Sequence, residues 1–236
     1  MPEVRVPEQP CTWEILESGL GDPAWNMALD EVLFETALDR NRPLLRFYGW
    51  SEPAVTFGYS QSYKDVLTWT SLRPAIRRPT GGGLVPHDRD WTYTVVIPPG
   101  NEWYELTARE SYHRVHEWVR RSFARLDLPA KLAPAARMDL PGQCFTGAEQ
   151  FDVICYGIKI AGAAQRRNRL GLLIQGSVQP PFMAPERGVW QQSMLDVAAS
   201  DWAVTWEPWP FQSDIPNRAS KLAMTKYSRA EYNQKR

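Results

Sequence analysis

Cysteine is scarce in this chain. Cys11, Cys144 and Cys155 are all that 236 residues contain, an odd number at spacings that fit neither a disulfide framework nor a zinc site. Histidine is equally rare, with three. His113 and His116 stand three apart, but no third ligand is evident to turn them into a metal centre. Charge of one sign is not in excess: 27 basic residues balance 27 acidic ones, without the basic surplus of a nucleic-acid binder. No run approaches the roughly 18–20 apolar residues of a membrane span. Residues 1–10 lack the apolar centre of a secretory signal. Internal repeats are missing too, which removes solenoid and propeller architectures. The expectation left standing is a reduced, soluble, cytoplasmic protein, monomeric, with no metal, nucleic acid or membrane among its partners.

What is present is enough for a sizeable core. Hydrophobic residues make up 43% of the chain, and eleven Trp and nine Tyr are many, which suits either a well-packed fold or an aromatic-lined pocket. Residues 1–12 read as a proline-rich arm, 13–205 as one catalytic-sized domain, and 206–236 as a C-terminal extension. A short strand is expected at 13–16. Gly21-Asp22-Pro23 then signals a helix, with Asp22 as N-cap and Pro23 as first helical residue. Trp25, Leu29, Val32, Leu33 and Thr36 follow at helical spacing, predicting an amphipathic helix with one buried face. Strands are expected at 43–48 and 54–59, and the β-branched, aromatic run Trp91–Ile97 is the strongest strand signal. Asn101 is positioned to cap a long helix reaching about Leu126, with Tyr112, Val115, Val119 and Phe123 in its apolar stripe. Three strands follow at 151–155, 158–163 and 170–178, then a helix within 189–199 and a terminal helix at 228–236. Strands come in groups with helices between the groups. This argues for an α+β fold, a mixed and largely antiparallel sheet flanked by helices.

Two segments carry the chemistry. The first is Arg77-Arg78-Pro79-Thr80-Gly81-Gly82-Gly83-Leu84-Val85-Pro86-His87-Asp88. Three successive glycines let backbone approach a ligand closely, and consecutive free N–H groups suit an anion or an oxyanion. The preceding arginines offer positive charge, although a tight turn explains the glycines as well. The spacing fits neither a P-loop nor a dinucleotide fingerprint. The second is Gly157-Ile158-Lys159-Ile160-Ala161-Gly162-Ala163-Ala164-Gln165. Strand alternation points Ile158 and Ile160 to one face and Lys159 to the other. Residues 161–164 are no larger than alanine, which makes sense where a ligand takes the missing volume. An ordinary solvated strand lysine is the bland reading of Lys159.

In combination and in this order, the two segments resemble the biotin/lipoate attachment superfamily, specifically the lipoate–protein ligases and octanoyltransferases. Those proteins carry Arg-Arg-x-(Ser/Thr)-Gly-Gly-Gly-x-Val-x-His-Asp followed by Gly-x-Lys-(Ile/Val)-(Ala/Ser)-Gly-x-Ala. Asn26-Met27-Ala28-Leu29-Asp30-Glu31, Leu45-Arg46-Phe47-Tyr48-Gly49-Trp50 and Val55-Thr56-Phe57-Gly58-Tyr59-Ser60-Gln61 also look similar. The resemblance spans about 13–178. Pro86 and Arg89-Asp90 depart from the family's usual residues there.

The resemblance implies a biotin/lipoate-ligase core with a class II synthetase-like fold. Gly142-Gln143-Cys144-Phe145, with Cys144 fifteen residues ahead of Lys159, resembles the nucleophile segment of the cysteine-dependent octanoyltransferases. The implied activity is octanoyl transfer from acyl carrier protein, through a Cys144 thioester, to the lysine of a lipoyl domain. Such domains belong to 2-oxoacid dehydrogenase E2 subunits or the glycine cleavage H protein. Cys144 and Lys159 would be catalytic and no cofactor would be required. Arg77, Arg78, Gly81, Gly82, Gly83, His87, Ala161, Gly162 and Ala163 would bind substrate. His87 would position substrate or shuttle a proton, or simply hydrogen-bond beside Asp88. Arg77, Arg78, Arg166, Arg167 and Arg169 would engage the acidic carrier or its phosphopantetheine, unless the last three form only a solvated hairpin. An ATP-dependent lipoate ligase using magnesium, or a non-catalytic acyl or carrier-protein binder, are the alternatives.

Overall fold

A computed structural model of the chain describes residues 11–136, 145, 147–211 and 214–235. Cys144 lies outside the described residues. Strand β1 (Cys11–Gly21) leads through the Asp22 cap into α1 (Pro23–Glu35) and the single turn α2 (Ala37–Arg40). Asp22 accepts from the N–H groups of Ala24 and Trp25 at 2.9 and 3.1 Å, the cap that the Asp-Pro pair announces. Strands β2 (Leu44–Trp50) and β3 (Ala54–Phe57) precede α3 (Tyr63–Trp69). Then come β4 (Ala75–Arg77), β5 (Val85–His87) and β6 (Trp91–Ile97). The helices α4 (Glu102–Glu105) and α5 (Ala108–Ala124) lead to β7 (Ala130–Leu132), β8 (Val153–Cys155), β9 (Ile158–Asn168) and β10 (Gly171–Val178). The chain closes with α6 (Arg187–Trp202), β11 (Val204–Pro208), α7 (Asp214–Leu222), a π-helical turn (Ala223–Tyr227) and α8 (Ala230–Asn233).

The main sheet has eight strands in the order β11-β1-β2-β6-β10-β9-β8-β7. Among the described residues only β1 pairs in parallel in this sheet, with β2 and β11, and the other pairings are antiparallel. The α+β expectation is met. A three-stranded sheet, β4-β3-β5, stands apart and carries the glycine segment between β4 and β5.

Both faces of the main sheet are covered. Leu45, Phe47, Tyr93, Val95, Leu172 and Ile174 pack with α5 and α6 residues such as Trp118, Phe123 and Trp190. Leu44, Tyr48, Val96 and Leu173 pack on the other face with α1 and α7 residues. Central strands therefore read as nearly unbroken apolar runs. Trp13 meets Trp103, Trp118 and Trp206 edge to face at 5.6–5.9 Å, which accounts for much of the tryptophan content.

Four expectations change. Helix α1 is buried nearly all round, because α7 and the π-helical turn cover the side that would otherwise face water. The long helix expected from Asn101 is two helices. Leu106 is extended (φ −63°, ψ 146°), and Thr107 restarts the helix with a capping box closed by Glu110. The last helical region begins at Asp214 rather than 228. Ile158 is 70% exposed while Ile160 is buried, since Ile158 sits at the tip of the β8–β9 hairpin. The turn residues there, Tyr156 and Gly157, take φ of 50° and 80°.

A buried ion pair ties the layers together. Arg46 on β2 donates from Nη1 to Asp30 Oδ1 of α1 at 2.6 Å, and both side chains are fully buried. Asp30 Oδ2 accepts from Tyr48, Thr94 and Gln175 at 3.0, 2.8 and 2.7 Å. Arg46 also donates to Ser18 Oγ, Asn26 O and Asn26 Oδ1. Removing one partner leaves the other charge buried and uncompensated. Arg46→Met should cost about 3–5 kcal/mol of unfolding free energy, read from urea denaturation, and a loss below ~1 kcal/mol would contradict this role.

Candidate active site

The glycine segment is shaped from within. Arg78 is almost fully buried and its Nη2 donates to the carbonyls of Gly81 and Gly83 at 2.7 and 2.8 Å, while Nη1 donates to Thr56 Oγ1 at 3.0 Å. Gly82 sits at φ 82°, a conformation side chains resist. Gly58 permits close approach of the segment: a Cβ there would lie 2.0 Å from the Gly82 carbonyl oxygen. Thr80 Oγ1 donates to Gln175 Oε1 at 2.7 Å. Gln175 also holds Asp30, so the segment is coupled to the buried ion pair.

Beneath it lies a cavity of about 610 Å³. Arg78, Gly81, Gly82, Gly83 and His87 line one part of it; Met27, Gln175 and Gly176 line another. Lys159, Gly162, Ala163, Tyr112 and Phe145 line the rest. Thus most of the residues singled out by sequence meet at one place. Two do not line the cavity. Arg77 is fully buried and donates to the carbonyls of Tyr59, Gln61, Tyr232 and Asn233. Ala161 packs in the core with Val153, Ile160 and Val178. The idea that Arg77 and Arg78 reach out to a carrier protein is likewise corrected, since both side chains are buried and donate to backbone carbonyls and, from Arg78, to the Thr56 hydroxyl. Of that basic set, Arg166 and Arg167 are partly exposed and Arg169 is exposed.

His87 hydrogen-bonds to Asp90, not to Asp88. Its Nδ1 lies 2.8 Å from Asp90 Oδ2 and its Nε2 lies 2.8 Å from Thr56 Oγ1, and Trp50 stacks on the ring at 3.9 Å. Facing a carboxylate, Nδ1 is the donor to Asp90, and Nε2 shares a hydrogen bond with the Thr56 hydroxyl that also accepts from Arg78. Asp90 Oδ2 also accepts from Thr92 and Ser177. Asp90 is one of the positions where the sequence departs from the family pattern, and it is the residue that holds the histidine.

Lys159 is not a solvated strand lysine. Its side chain is 6% exposed and its Nζ is 2.7 Å from Asp152 Oδ2. Asp152, fully buried, accepts from Tyr112 OH at Oδ1 and from the Glu149 N–H at Oδ2, both at 2.6 Å. Gly162 leaves room for this pair, because a Cβ there would stand 3.0 Å from Lys159 Cε and 3.3 Å from Asp152 Oδ1. Phe145 presents its ring 5.0 Å from Lys159 Nζ. Behind Asp152 lies His116, whose Nδ1–H donates to the Tyr112 carbonyl at 2.7 Å and whose Nε2 is 3.8 Å from Asp152 Oδ1. Burial lowers its pKa from 6.5 to about 4. It is a neutral packing residue, and His113 packs on Phe151 instead.

Asp152, Tyr112, Asp90 and Gln175 escaped the sequence reading. Tyr112 falls in the apolar stripe of α5 by spacing, and its hydroxyl is the one hint of another role. Asp152 is the one charged residue in the run 151–155, which otherwise reads as apolar, and a lone carboxylate there is the sign that something cationic lies opposite.

This arrangement belongs to a defined class of proteins. Residues 22–179 match the lipoyl protein ligase A/B catalytic domain, and the chain belongs to that family. Among curated relatives, it is 31% identical over 180 residues to the octanoyltransferase LipM of Bacillus subtilis (strain 168), covering 71% of this chain and 65% of that one. The identity is 34% over 179 residues to the protein of the same name from Kyrpidia tusciae, with the same coverage. The chain thus spans about 65% of the length of these relatives. Its fold matches that of lipoate-protein ligase A bound with ATP, with TM-score 0.76, 20% identity, and coverage of 96% of this chain and 98% of that one. It also matches the bi-partite lipoate protein ligase of Thermoplasma acidophilum, with TM-score 0.73, 20% identity, and coverage of 96% and 97%. Among the described residues no helix is long and apolar enough to cross a membrane.

The depressed pKa of His116 sets a pH window. Above about pH 6.5 the histidine is neutral in both folded and unfolded chains and costs nothing. Between 6.5 and 4 the unfolded chain binds the extra proton, so stability falls as pH falls, by up to about 1.4 kcal/mol per unit. Urea midpoints measured at pH 7 and pH 5 should show this loss, and a His116→Gln variant should lack that share of it.

Proposed function

We propose that this chain is an octanoyltransferase that moves an octanoyl group from acyl carrier protein to the lysine of a lipoyl domain through a thioester on Cys144. The observation that carries the reading is Phe145. This residue follows Cys144 in the chain, lines the cavity, and sets its ring 5.0 Å from the buried ammonium of Lys159. The curated name of the relatives supports the reaction class.

In this reading the cavity holds the acyl chain, with Gly162 and Ala163 giving it width beside Lys159. The Cys144 thiolate attacks the thioester carbonyl carbon. A new C–S bond forms and the carrier's thiolate leaves, taking up a proton from solvent. The acceptor lysine, as free amine, then attacks the enzyme thioester. The amide forms, the amine loses a proton and Cys144 is released. Lys159, held at the cavity wall by Asp152, supplies the cation that favours the thiolate and sets positive charge beside the developing oxyanion. Backbone N–H groups of Gly81 and Gly82 are the second candidate donors. The glycine segment and His87 orient the substrate. No ATP enters, since thioester to thioester is nearly balanced and thioester to amide runs downhill.

Mixing the protein with octanoyl carrier protein and reading its intact mass tests this directly. One octanoyl adduct is expected, on Cys144, and it should vanish in Cys144→Ala together with at least about a thousandfold of the transfer rate. Full transfer by the Ala variant would remove Cys144 from the mechanism. Modification of a lipoyl domain with octanoate, ATP and magnesium alone would establish a ligase, and carrier binding without turnover would establish a binder.

A further inference from the structure

The last stretch of the chain lies outside residues 22–179 that carry the family match, yet it is built into the back of the glycine segment. Tyr227, in the π-helical turn, is fully buried and donates to Glu31 Oε2 at 2.8 Å. Lys226 meets both oxygens of the same carboxylate at 2.7 and 2.5 Å. These contacts fix the segment on α1. It then delivers Asn233, 7% exposed, to the edge of β4.

Asn233 is fully used. Its Nδ2 donates to the carbonyls of Tyr227 and Arg229 at 2.7 and 3.1 Å, which sets its Oδ1 to accept from the backbone N–H of Arg77 at 2.8 Å. β4 is the edge of its sheet, so this side chain satisfies a donor that the sheet leaves open. The Asn233 carbonyl accepts from Arg77 Nη2 at 2.8 Å and that of Tyr232 from Nε at 3.3 Å. Arg77 Nη1 donates to the carbonyls of Tyr59 and Gln61, both at 2.7 Å. One guanidinium thus clamps the C-terminal helix to the 58–61 turn. That turn is the surface on which Gly82 rests, through Gly58, and Tyr59 N donates to the Thr80 carbonyl at 2.9 Å.

We propose that Asn233 is a positioning residue for the substrate-binding glycine segment, acting through Arg77, so that the C-terminal helix is a working part of the site. The segment's geometry depends on a chain end far away in sequence. The kinetic half of this inference rests on the transfer reaction proposed above; the structural half does not.

The test uses the full-length chain with Asn233→Ala, and Arg218→Ala as a surface control in the same C-terminal region. Hydrogen exchange of peptides covering 78–84 should rise about tenfold in Asn233→Ala, with Trp91–Ile97 unchanged. KM for the octanoyl carrier should rise by a similar factor with kcat little altered. The control should change neither. If Asn233→Ala does not fold, Arg77→Lys, which keeps the charge and loses the fork, should give the same local signature. Unchanged exchange in 78–84, or an equal rise in Trp91–Ile97, would overturn the inference. A local rise in exchange in a protein whose parent shows no transfer keeps Asn233 in its role and removes the transferase reading.

Discussion

The carboxylate of Asp30 is the constraint that organises this molecule. A charge fully removed from water must be met on every side, and Asp30 is met by Arg46, Tyr48, Thr94 and Gln175. Those groups come from three adjacent strands of the sheet and approach a helix packed over them. The sheet's register is therefore fixed at its centre by polar geometry, where apolar packing alone would tolerate slippage. Gln175 carries the same order outward, because its other end receives Thr80. The rigid interior and the cavity-lining segment share one hydrogen-bond chain.

The other half of the site is ordered by a second carboxylate. Asp152 joins a strand lysine, a helix tyrosine and the backbone at Glu149. An ammonium drawn into low dielectric would be costly alone; beside Asp152 it is held at a defined point in the cavity wall. The two carboxylates divide the labour. One fixes the scaffold and the glycine segment, and the other fixes the cation.

Much of this was legible in the sequence. The Asp-Pro start of α1, the full extent of Trp91–Ile97 and the grouping of strands follow from local chemistry, and the meeting of the glycine segment with Lys159 follows from the family resemblance the two segments carry in combination. What escaped follows a pattern. The break at Leu106 was hidden because Asn101 is a genuine N-cap and the stripe begins only at Tyr112, while the restart is written only in the Thr107–Glu110 pairing. α1 reads as one-faced because periodicity cannot show that a helix more than 170 residues later will cover its outer side. Arg77 reads as a ligand-binding charge since it stands beside glycines; its carbonyl partners come from a turn upstream and from the chain's end. Asp152 and Tyr112 are each unremarkable in their own segments, and their meaning lies in the pairing across elements that a linear reading does not display.

Gly58 makes no hydrogen bond through a side chain and offers no reactive atom. Its contribution is an empty space that the Gly82 carbonyl occupies. Any other residue there would displace the glycine segment before it touched a ligand. Position 58 is thus as tightly restricted as a catalytic residue, although the restriction is purely volumetric. A survey of tolerated substitutions in this protein would mark it among the most intolerant sites, with no chemistry of its own to explain why.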